Sequence, residues 1–329
     1  MDWKEMRAWL RDYETTCLLT ISAPAHLRIQ AYFIWMVFAI AAELDPQSNT
    51  SSSAYYDQGW KHLEPVMASY DLVSIQGLLL AVFYAFRSKS VPSLWLLSGN
   101  AVRMCVDMGF HRAQTKVSPH ERERRARTFW SAYAFDRIVA HSTNRPTSID
   151  DRDIDVDMPL DVNSDLSHLT VINGQVTDLT CAIHSIELYR IRSRVHTAFY
   201  ALDAPIPSAD ATAAFLQELE SWRVRLPIRS DRLDIPVQDE NRFQMRYLQC
   251  VLYTLRPSII QATTGDFRLS LCAVAAAEAC EVSLTEAHWK RLKVAGSIGT
   301  PVVTGRPIDR VGMPYFHLQY DAATLVSRN

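Results

Sequence analysis

The sequence predicts an all-α fold, organised as a single large multi-helix domain. Apolar residues recur at helical spacing along most of the 329 residues, glycine is scarce at 10 residues, and strand-like alternation of comparable strength is lacking. Because 48% of the residues are apolar, the chain is able to bury a sizeable core. We expect this helical domain to cover residues 1–293. A Gly/Pro-rich irregular tail is expected over residues 294–329, which hold four of the ten glycines.

The first third of the chain predicts three helical segments. Leu27–Leu44 is apolar nearly all round, which is typical of a central helix, and the polar run 45–53 that follows predicts an exposed loop. Tyr55–Tyr70 predicts a helix that is interrupted near Pro65. In Leu72–Arg87 the apolar stripe is so wide that no polar face remains, so we expect this helix to be buried.

Two further helices have clear start and stop signals. A start at Pro92 and Ser93 predicts a helix to Met108, and Gly109 is placed where a left-handed residue favours its end. The run Ser118–Glu121 predicts the next start: serine caps the helix, proline fits its first turn, and the glutamate reaches back to the serine amide. We expect the two helices to be antiparallel. The predicted core residues on these helices and the one before are Leu78, Leu79, Phe83, Leu97, Val102, Phe129, Trp130 and Tyr133, with Ile138 on the same inner face.

The helix after Ser118 is rich in arginine, but its acidic residues alternate with the basic ones. Glu121 and Arg125, and likewise Glu123 and Arg127, have the four-residue spacing that favours ion pairs. This pattern predicts a salt-bridged helix surface in preference to a phosphate-binding one. Four more helices are predicted in the second half of the chain, at Leu179–Leu202, Asp210–Leu226, Glu240–Leu255 and Ser270–Lys290.

An acidic loop, Ile149–Asp165, breaks the helical run. Alternating aspartates are typical of calcium sites, but counting from Asp153 the sixth residue is Met158 where glycine is needed and the twelfth is Ser164 where glutamate is needed. We therefore expect no calcium. The loop carboxylates are instead expected to pair with nearby arginines, and Arg137 or Arg145 is predicted to anchor the loop over the helix end.

Several classes of function lack the residues that they need. The six cysteines have no metal-binding spacing, no histidine pair has the HExxH arrangement, and glycine-rich phosphate motifs and nucleophile elbows are missing. A net charge of −2 provides no basic field for nucleic acid. The N-terminus lacks a signal-peptide core, and the apolar run Ala31–Ala42 is too short to cross a bilayer. We expect an intracellular protein with buried thiols, no metal, no cofactor, no membrane contact, no direct nucleic-acid contact and no standard catalytic residues.

A ligand site is the remaining candidate. Aromatic side chains on the central helices are able to line an apolar cavity between helices, where ligands of all-α proteins bind, but core packing explains them equally well. If a cavity exists, we expect apolar residues to line it and three polar residues to lie near its mouth. His111 has the alternative role of satisfying carbonyls at a helix end. The apolar candidates are Trp95, Met104, Trp130 and Tyr133, and the polar candidates are His111, Arg137 and Arg145.

The stretch Ser74–Pro159 contains three motifs in order: a helix that ends in a Leu-Gly-Leu-His-Arg-like corner, a Phe-Trp…Tyr…Asp-Arg helix and a Gly-Arg-Pro…Ile-Asp-Asp…Asp-Ile-like corner. The residues that form them are Met108–Arg112, Phe129, Trp130, Tyr133, Asp136, Arg137, Asn144–Pro146, Ile149–Asp151, Asp153 and Ile154. With these motifs the stretch resembles the middle homology region of fungal zinc-cluster transcription factors. A weaker likeness extends over roughly Leu27–Lys290, through Leu255–Pro257 and the helix that carries Cys272.

The resemblance implies a regulatory domain of the all-α type. The six-cysteine zinc cluster of these regulators, its basic linker and its coiled coil have no counterpart in this sequence, so we expect a regulatory core that does not bind DNA by itself. Its partners would be a small apolar effector, a second copy or a transcription partner protein, in the nucleus. An alternative is a core recruited to natural-product biosynthesis, a cytoplasmic, metal-free cyclase, isomerase or pericyclase that folds its substrate in an apolar cavity.

Overall fold

The computed structural model describes residues 22–44, 51–88, 93–162, 179–226, 240–259 and 265–294, together with residues 8, 9, 11, 166, 169–171, 176, 177 and 262. Within these residues the chain forms helices and connecting loops and no strand, which confirms the all-α prediction. The chain divides into two compact units, residues 1–183 and 184–329. The proposed boundary at residue 293 stays a prediction, because residues 295–329 lie outside the described part of the chain.

Ten α-helices and one short 3-10 helix lie in the described residues. The α-helices are α1 (Ala25–Leu44), α2 (Ser52–Trp60), α3 (Leu63–Ala68), α4 (Leu72–Arg87), α5 (Leu94–Asp107), α6 (Pro119–Thr143), α7 (Thr180–Tyr200), α8 (Ala209–Val224), α9 (Glu240–Ile259) and α10 (Phe267–Val294). The 3-10 helix is Asp151–Asp153.

Unit 1 is built around α1, which packs against α2, α3 and α4. The Tyr32 hydroxyl donates a 2.9 Å hydrogen bond to the carbonyl of Gly77 on α4. A Cβ on Gly77 would lie 2.6 Å from Cγ1 of Val66 on α3, so only glycine permits this approach. The resulting position of α4 sets the positions of α5 and α6, which pack against it.

Helix α1 is long and apolar enough to cross a membrane by length and composition alone. The prediction that its apolar run is too short is therefore not a sufficient argument, because the helix that contains the run has 20 residues. Its role follows from its packing. Tyr32, Phe33 and Met36 are buried against α2 to α4 in the core of unit 1.

The start of α3 differs from the prediction. We expected an interruption near Pro65, but the chain turns at Lys61 and His62, and Pro65 lies in the first turn of α3. The first N–H groups of a helix have no intrahelical acceptor, so proline breaks no hydrogen bond there. The predicted position of the interruption is therefore wrong by several residues.

Helices α5 and α6 begin and end close to the residues that the sequence predicts. Ser93 precedes α5, Gly109 ends it with φ +71°, and the Ser118 side chain accepts the Glu121 amide at 3.3 Å. The Glu121 carboxylate does not return to Ser118 as predicted, because it accepts from Arg125 Nε at 2.7 Å. Pro92 lies outside the described residues. Of the predicted core, Leu79, Phe83 and Ile138 are only half-buried, and the buried members are Leu78, Leu97, Val102, Phe129, Trp130 and Tyr133.

Unit 2 contains the pairs α8 with α9 and α9 with α10. The prediction that α9 ends at Leu255 is wrong, since the helix continues through Pro257 to Ile259. Proline in a helix removes the N–H donor for the carbonyl four residues earlier. That carbonyl belongs to Tyr253 and accepts the Tyr200 hydroxyl at 2.8 Å, which replaces the missing donor.

Candidate functional site

The strongest cluster of buried polar contacts joins α6 to the segment that follows it. We call residues 144–162 the strap; it includes the described part of the acidic loop. Asn144 adopts the left-handed conformation at the end of α6, and the Arg145 amide donates to the Ala140 carbonyl at 2.9 Å. The chain then reverses. Successive strap residues bind positions progressively nearer the start of α6, so the strap runs back along this helix.

Arg137 holds the upper end of the strap, by which we mean its N-terminal end, beside the last turns of α6. Its side chain is fully buried, and its Nη2 donates to the Ile149 carbonyl at 2.7 Å and to Asp151 Oδ1 at 2.9 Å. The Arg137 Nη1 donates to Asp136 Oδ2 at 2.6 Å. Burial acts to lower the pKa of Arg137, but its interactions with Tyr133, Asp151 and Asp136 outweigh burial and raise that pKa. The prediction that an arginine pairs with a loop carboxylate is thus confirmed for Arg137.

Asp136 is the second buried charge at this end. Its carboxylate accepts the Ser148 amide at 3.0 Å and the Ser148 hydroxyl at 2.7 Å, in addition to Arg137. Helix α5 passes close to the same point, because a Cβ on Gly99 would lie 3.0 Å from the Ser148 hydroxyl. The strap is therefore tied to α6 and approached by α5 at one place.

Tyr133 joins the same network from the turn of α6 that precedes Arg137. Its hydroxyl donates to Asp151 Oδ1 at 2.9 Å, and the Arg137 guanidinium lies 4.2 Å from its ring centroid. Burial, the first cause, and the nearby Asp151 carboxylate raise the pKa of Tyr133 well above its usual range. The phenol stays protonated and acts as a hydrogen-bond donor. Asp151 thus accepts from two fully buried side chains of α6.

The lower end of the strap is fixed by three side chains of α6. Trp130 Nε1 donates to the Asp157 carbonyl at 2.8 Å. The Glu123 carboxylate accepts the Leu160 amide at 3.1 Å and Arg127 Nε at 2.7 Å. Arg127 Nη2 also donates to the Val162 carbonyl at 3.3 Å. The strap therefore crosses most of the length of α6 with hydrogen bonds at both ends and in the middle.

Trp95 and Arg145 meet at the upper turn of the strap. Trp95 Nε1 donates to the Pro146 carbonyl at 3.1 Å, and the Arg145 guanidinium lies 5.2 Å from the Trp95 ring centroid. Arg145 is exposed and has no carboxylate partner among the residues that the structure describes. Of the two arginines proposed as the loop anchor, Arg137 therefore fills this role. Arg145 packs on an indole face in a cation–π contact.

His111 supports the strap through its backbone. Its carbonyl accepts the amides of Asp155 at 3.1 Å and Val156 at 3.2 Å. Burial and Arg112 lower the pKa of the His111 ring. Met104 is buried on α5. Five of the seven predicted site residues thus bind the strap directly, and a sixth, Arg145, is part of it. Met104 is the exception.

The buried carboxylates Asp136 and Glu123 were not singled out from the sequence as functional residues. Asp136 lies on α6 among apolar residues, and a charged residue at such a position is the signal that would have identified it. Glu123 lies among charged residues at the start of α6, so the sequence gives no comparable signal for it. No group of three histidine, cysteine, aspartate or glutamate side chains capable of holding a metal ion occurs in the described part of the chain. The arrangement is suited to positioning the strap on α6 through buried hydrogen bonds. Arg137, Asp136 and Asp151 bind one another within it.

Comparison with known proteins identifies relatives of this architecture. Residues 17–206 match the fungal specific transcription factor domain. Pyrimidine pathway regulatory protein 1 of Saccharomyces cerevisiae is 25% identical over 296 residues, covering 80% of this chain and 32% of that protein. Protein STB5 of the same yeast is 36% identical over 104 residues, covering 30% of this chain and 14% of that protein.

An ABC-transporter-regulating transcription factor of Aspergillus oryzae is 26% identical over 209 residues, covering 59% of this chain and 23% of that protein. The chain thus spans 32% or less of the length of these three relatives. No solved structure matches this chain.

Proposed function

Because the chain belongs to the fungal specific transcription factor domain family, we propose that it acts as the regulatory domain of a fungal transcriptional regulator. The observation that carries this proposal is the family match over residues 17–206, which contains α1 to α6 and the whole strap. Relatives are named as regulators of a pyrimidine pathway and of ABC transporters. We place the chain in the nucleus, where it receives a signal from an effector or a partner protein and transmits it to transcription.

In this proposal the chain does not contact DNA by itself. Its net charge of −2 gives no source of counterion release. The most arginine-rich helix also has its cations neutralised locally, since Arg125 binds Glu121 and Arg127 binds Glu123, each at 2.7 Å. DNA contact would then be supplied by another part of the regulator or by a partner protein of different sequence.

We further propose that a small apolar effector binds where the strap meets α5 and α6, near Trp95, Met104, Trp130 and Tyr133. The polar groups nearest to that place would be His111, Arg137 and Arg145. Trp130, Tyr133 and Arg137 already donate hydrogen bonds to the strap. An effector that reaches them must exchange strap contacts for its own, and this exchange would couple binding to the position of the strap.

The test is a fusion of the chain to a heterologous DNA-binding domain, with a reporter gene in a fungal host. We expect the fusion to change reporter expression relative to the DNA-binding domain alone, and only when the reporter carries the matching operator. Arg137→Ala should abolish the change because it releases the strap. Arg152→Ala should preserve it, because Arg152 is exposed and Asp150 is its one carboxylate partner among the residues that the structure describes.

A fusion that leaves expression unchanged, at a protein level equal to that of an active control, would contradict the proposal. Catalytic formation of new isomers from metabolites of the producing organism, absent with boiled protein, would contradict it in favour of the biosynthetic alternative. Mass spectrometry with chromatography of the two incubations measures this second outcome.

A further inference from the structure

Helix α9 and the part of α7 that lies in unit 2 carry two facing stripes of arginine and aromatic residues. On α7 the stripe has the four-residue spacing that places side chains on one helix face. We call six residues of these two stripes the arginine–tyrosine face. They are Arg192, His196 and Tyr200 on α7 and Arg246, Tyr253 and Arg256 on α9.

The aromatic part of the arginine–tyrosine face is rigidly built. The Tyr200 and Tyr253 rings stack at 4.3 Å between centroids with an 11° interplanar angle, and His196 lies nearly parallel to Tyr200 at 5.8 Å. His196 Nδ1 and the Tyr253 hydroxyl are 2.6 Å apart. The Tyr200 hydroxyl is fixed on the Tyr253 carbonyl that Pro257 leaves without its helical donor. These rings are half-buried, so part of the group faces outward.

The arginines of this face lack the partners that other arginines of unit 2 have. Arg194 binds Glu218, Arg223 binds Glu220, and Arg225 binds Glu187 at 3.4 Å. By contrast, within the described residues no carboxylate pairs with any of the three cations of the face. Those cations are Arg192, Arg246 and Arg256.

The positions of these cations follow the aromatic rings. The Arg192 guanidinium lies 4.8 Å from the Tyr253 ring centroid, and its Nε is buried without a hydrogen-bond partner in the described structure. Arg246 donates to the Ser185 hydroxyl at 2.9 Å, and Arg256 is exposed. Uncompensated positive charge therefore lies beside stacked rings along this face.

We propose that the arginine–tyrosine face binds a small planar aromatic anion, with its ring against the tyrosine and histidine rings and its carboxylate or phosphate between Arg192 and Arg256. Arginine presents a planar set of donors that matches both anionic groups, and its face also stacks on aromatic rings. Ring stacking and charge pairing then act on the same ligand. The site lies wholly in unit 2, so it goes beyond the proposed effector place at the strap.

The same residue types also occur in proteins that bind single-stranded nucleic acid, where successive bases stack on separate aromatic platforms. Here the three rings stack on one another, with centroids 4.3 to 6.4 Å apart. Such a group has outer surfaces for one ligand ring and no series of separate platforms. The geometry therefore favours a single-ring-system ligand over a polynucleotide.

The experiment measures direct binding of 2-naphthoate to the full chain by fluorescence titration at fixed ionic strength. The double variant Arg192→Gln/Arg256→Gln should weaken naphthoate binding by about tenfold or more, because two charge-assisted contacts are lost. Arg194→Gln is the matched control on the same helix, since Arg194 is exposed and binds Glu218 outside the face. It should keep the wild-type affinity. Arg256→Gln alone removes one exposed cation and should weaken binding to a smaller extent.

The ligand arms separate the sources of affinity. Neutral 2-naphthamide should bind far more weakly than naphthoate, and naphthyl phosphate shows whether carboxylate or phosphate is preferred. Equal affinity of the wild type and the folded double or Arg256→Gln variants, equal binding of the amide, or no saturable binding of naphthoate or naphthyl phosphate would overturn the proposal. Tighter binding of oligothymidylate than of naphthyl phosphate would replace it with a nucleic-acid surface. Reporter expression plays no part in this assay, so its failure leaves the transcriptional proposal standing.

Discussion

Arg137 shows at the scale of one residue how a buried charge specifies a loop. Its guanidinium has no exposed surface and lies between the carboxylates of Asp136 and Asp151. A buried ion pair gives little net stability compared with apolar residues, but removing one partner leaves the others as uncompensated buried charge. The ion pairs of Arg137 therefore matter mainly because breaking them would destabilise the folded protein.

Replacing Arg137 with alanine should lower the free energy of unfolding by about 2 to 4 kcal/mol, because Asp136 and Asp151 lose their common partner. The measurement is the midpoint of urea unfolding, monitored by far-UV circular dichroism. Arg152→Ala is the control, because Arg152 pairs with Asp150 in solvent, and its midpoint should stay unchanged. Equal midpoints for Arg137→Ala and the wild type would contradict the role assigned to the anchor.

His184 gives the fold a pH dependence. Burial, the first cause, and Arg225 lower its pKa to about 4, while its ring stacks on Trp222 at 4.3 Å and its Nδ1 lies 3.8 Å from Glu187. Phe243 packs edge-on against the same ring. The depressed pKa means that the unfolded chain binds a proton more readily than the folded chain between about pH 6.5 and 4. His184 therefore makes stability fall as the pH is lowered through this window.

The expected loss for the wild type is about 1 to 3 kcal/mol in addition to the contribution of other groups. His184→Phe keeps an aromatic ring beside Trp222 but cannot titrate, so its stability should fall less over the same pH range. Urea unfolding of both proteins at several pH values between 4 and 7 measures the difference. Parallel pH profiles would rule out His184 as the source.

At the scale of the element, helix caps show where sequence patterns are sufficient and where they are not. Ser118 and Glu121 have the spacing of a reciprocal cap, yet the Glu121 carboxylate binds Arg125. Asp71 and Ser74 do form the reciprocal cap at α4: the Asp71 carboxylate accepts the Val73 amide at 2.8 Å, and the Ser74 hydroxyl accepts the Asp71 amide. At α6 the Arg125 side chain competes with the Ser118 amide for the Glu121 carboxylate. Residue spacing alone does not indicate such competition.

Asp71→Ala should destabilise the protein by about 0.5 to 2 kcal/mol, because α4 loses the acceptor for its first amides. Asp71→Asn retains an acceptor oxygen at the same place and should recover most of the stability. Thermal unfolding of the three proteins at one pH is the appropriate measurement. An asparagine variant as unstable as the alanine variant would indicate that the charge, and not the cap, is responsible.

Most helices could be predicted because their signals are local. The helical spacing of apolar residues, Gly109 at the end of α5 and Ser118 before α6 are signals that involve only neighbouring residues. The extension of α9 past Pro257 could not be predicted, because the replacement donor is Tyr200 on a different helix. Likewise, the pairing of Arg137 with a loop carboxylate was predictable from charge, whereas the choice of Asp151 depended on how the loop folds back.

At the scale of the whole molecule, the division into units at residues 183 and 184 falls inside α7. Proline, glycine and charge runs mark domain boundaries in sequence, and a continuous helix has none of them. The division arises from packing partners far apart in the chain. Sequence patterns therefore indicated the helices of both units and gave no indication of where one unit ends.

The charge balance of the whole chain leads to a negative expectation. Purified protein should contain no stoichiometric zinc and should not prefer one DNA duplex over scrambled competitors, because its cysteines are scattered and its net charge is −2. Elemental analysis and a competition binding assay at two salt concentrations measure both properties. Stoichiometric zinc or salt-dependent, sequence-selective binding would contradict this expectation.

The order of the strap contacts also fixes how many residues the strap must contain. Asp151 meets Arg137 and Tyr133, Asp157 meets Trp130, and Leu160 meets Glu123 along one helix, so each contact depends on the chain length between it and the next. A single-residue deletion between Asp151 and Asp157 would draw one end of the strap out of alignment and leave a buried donor of α6 without its acceptor. Point substitutions of exposed strap residues preserve that alignment. We therefore expect this segment to tolerate changes of residue type at its exposed positions far better than changes of length.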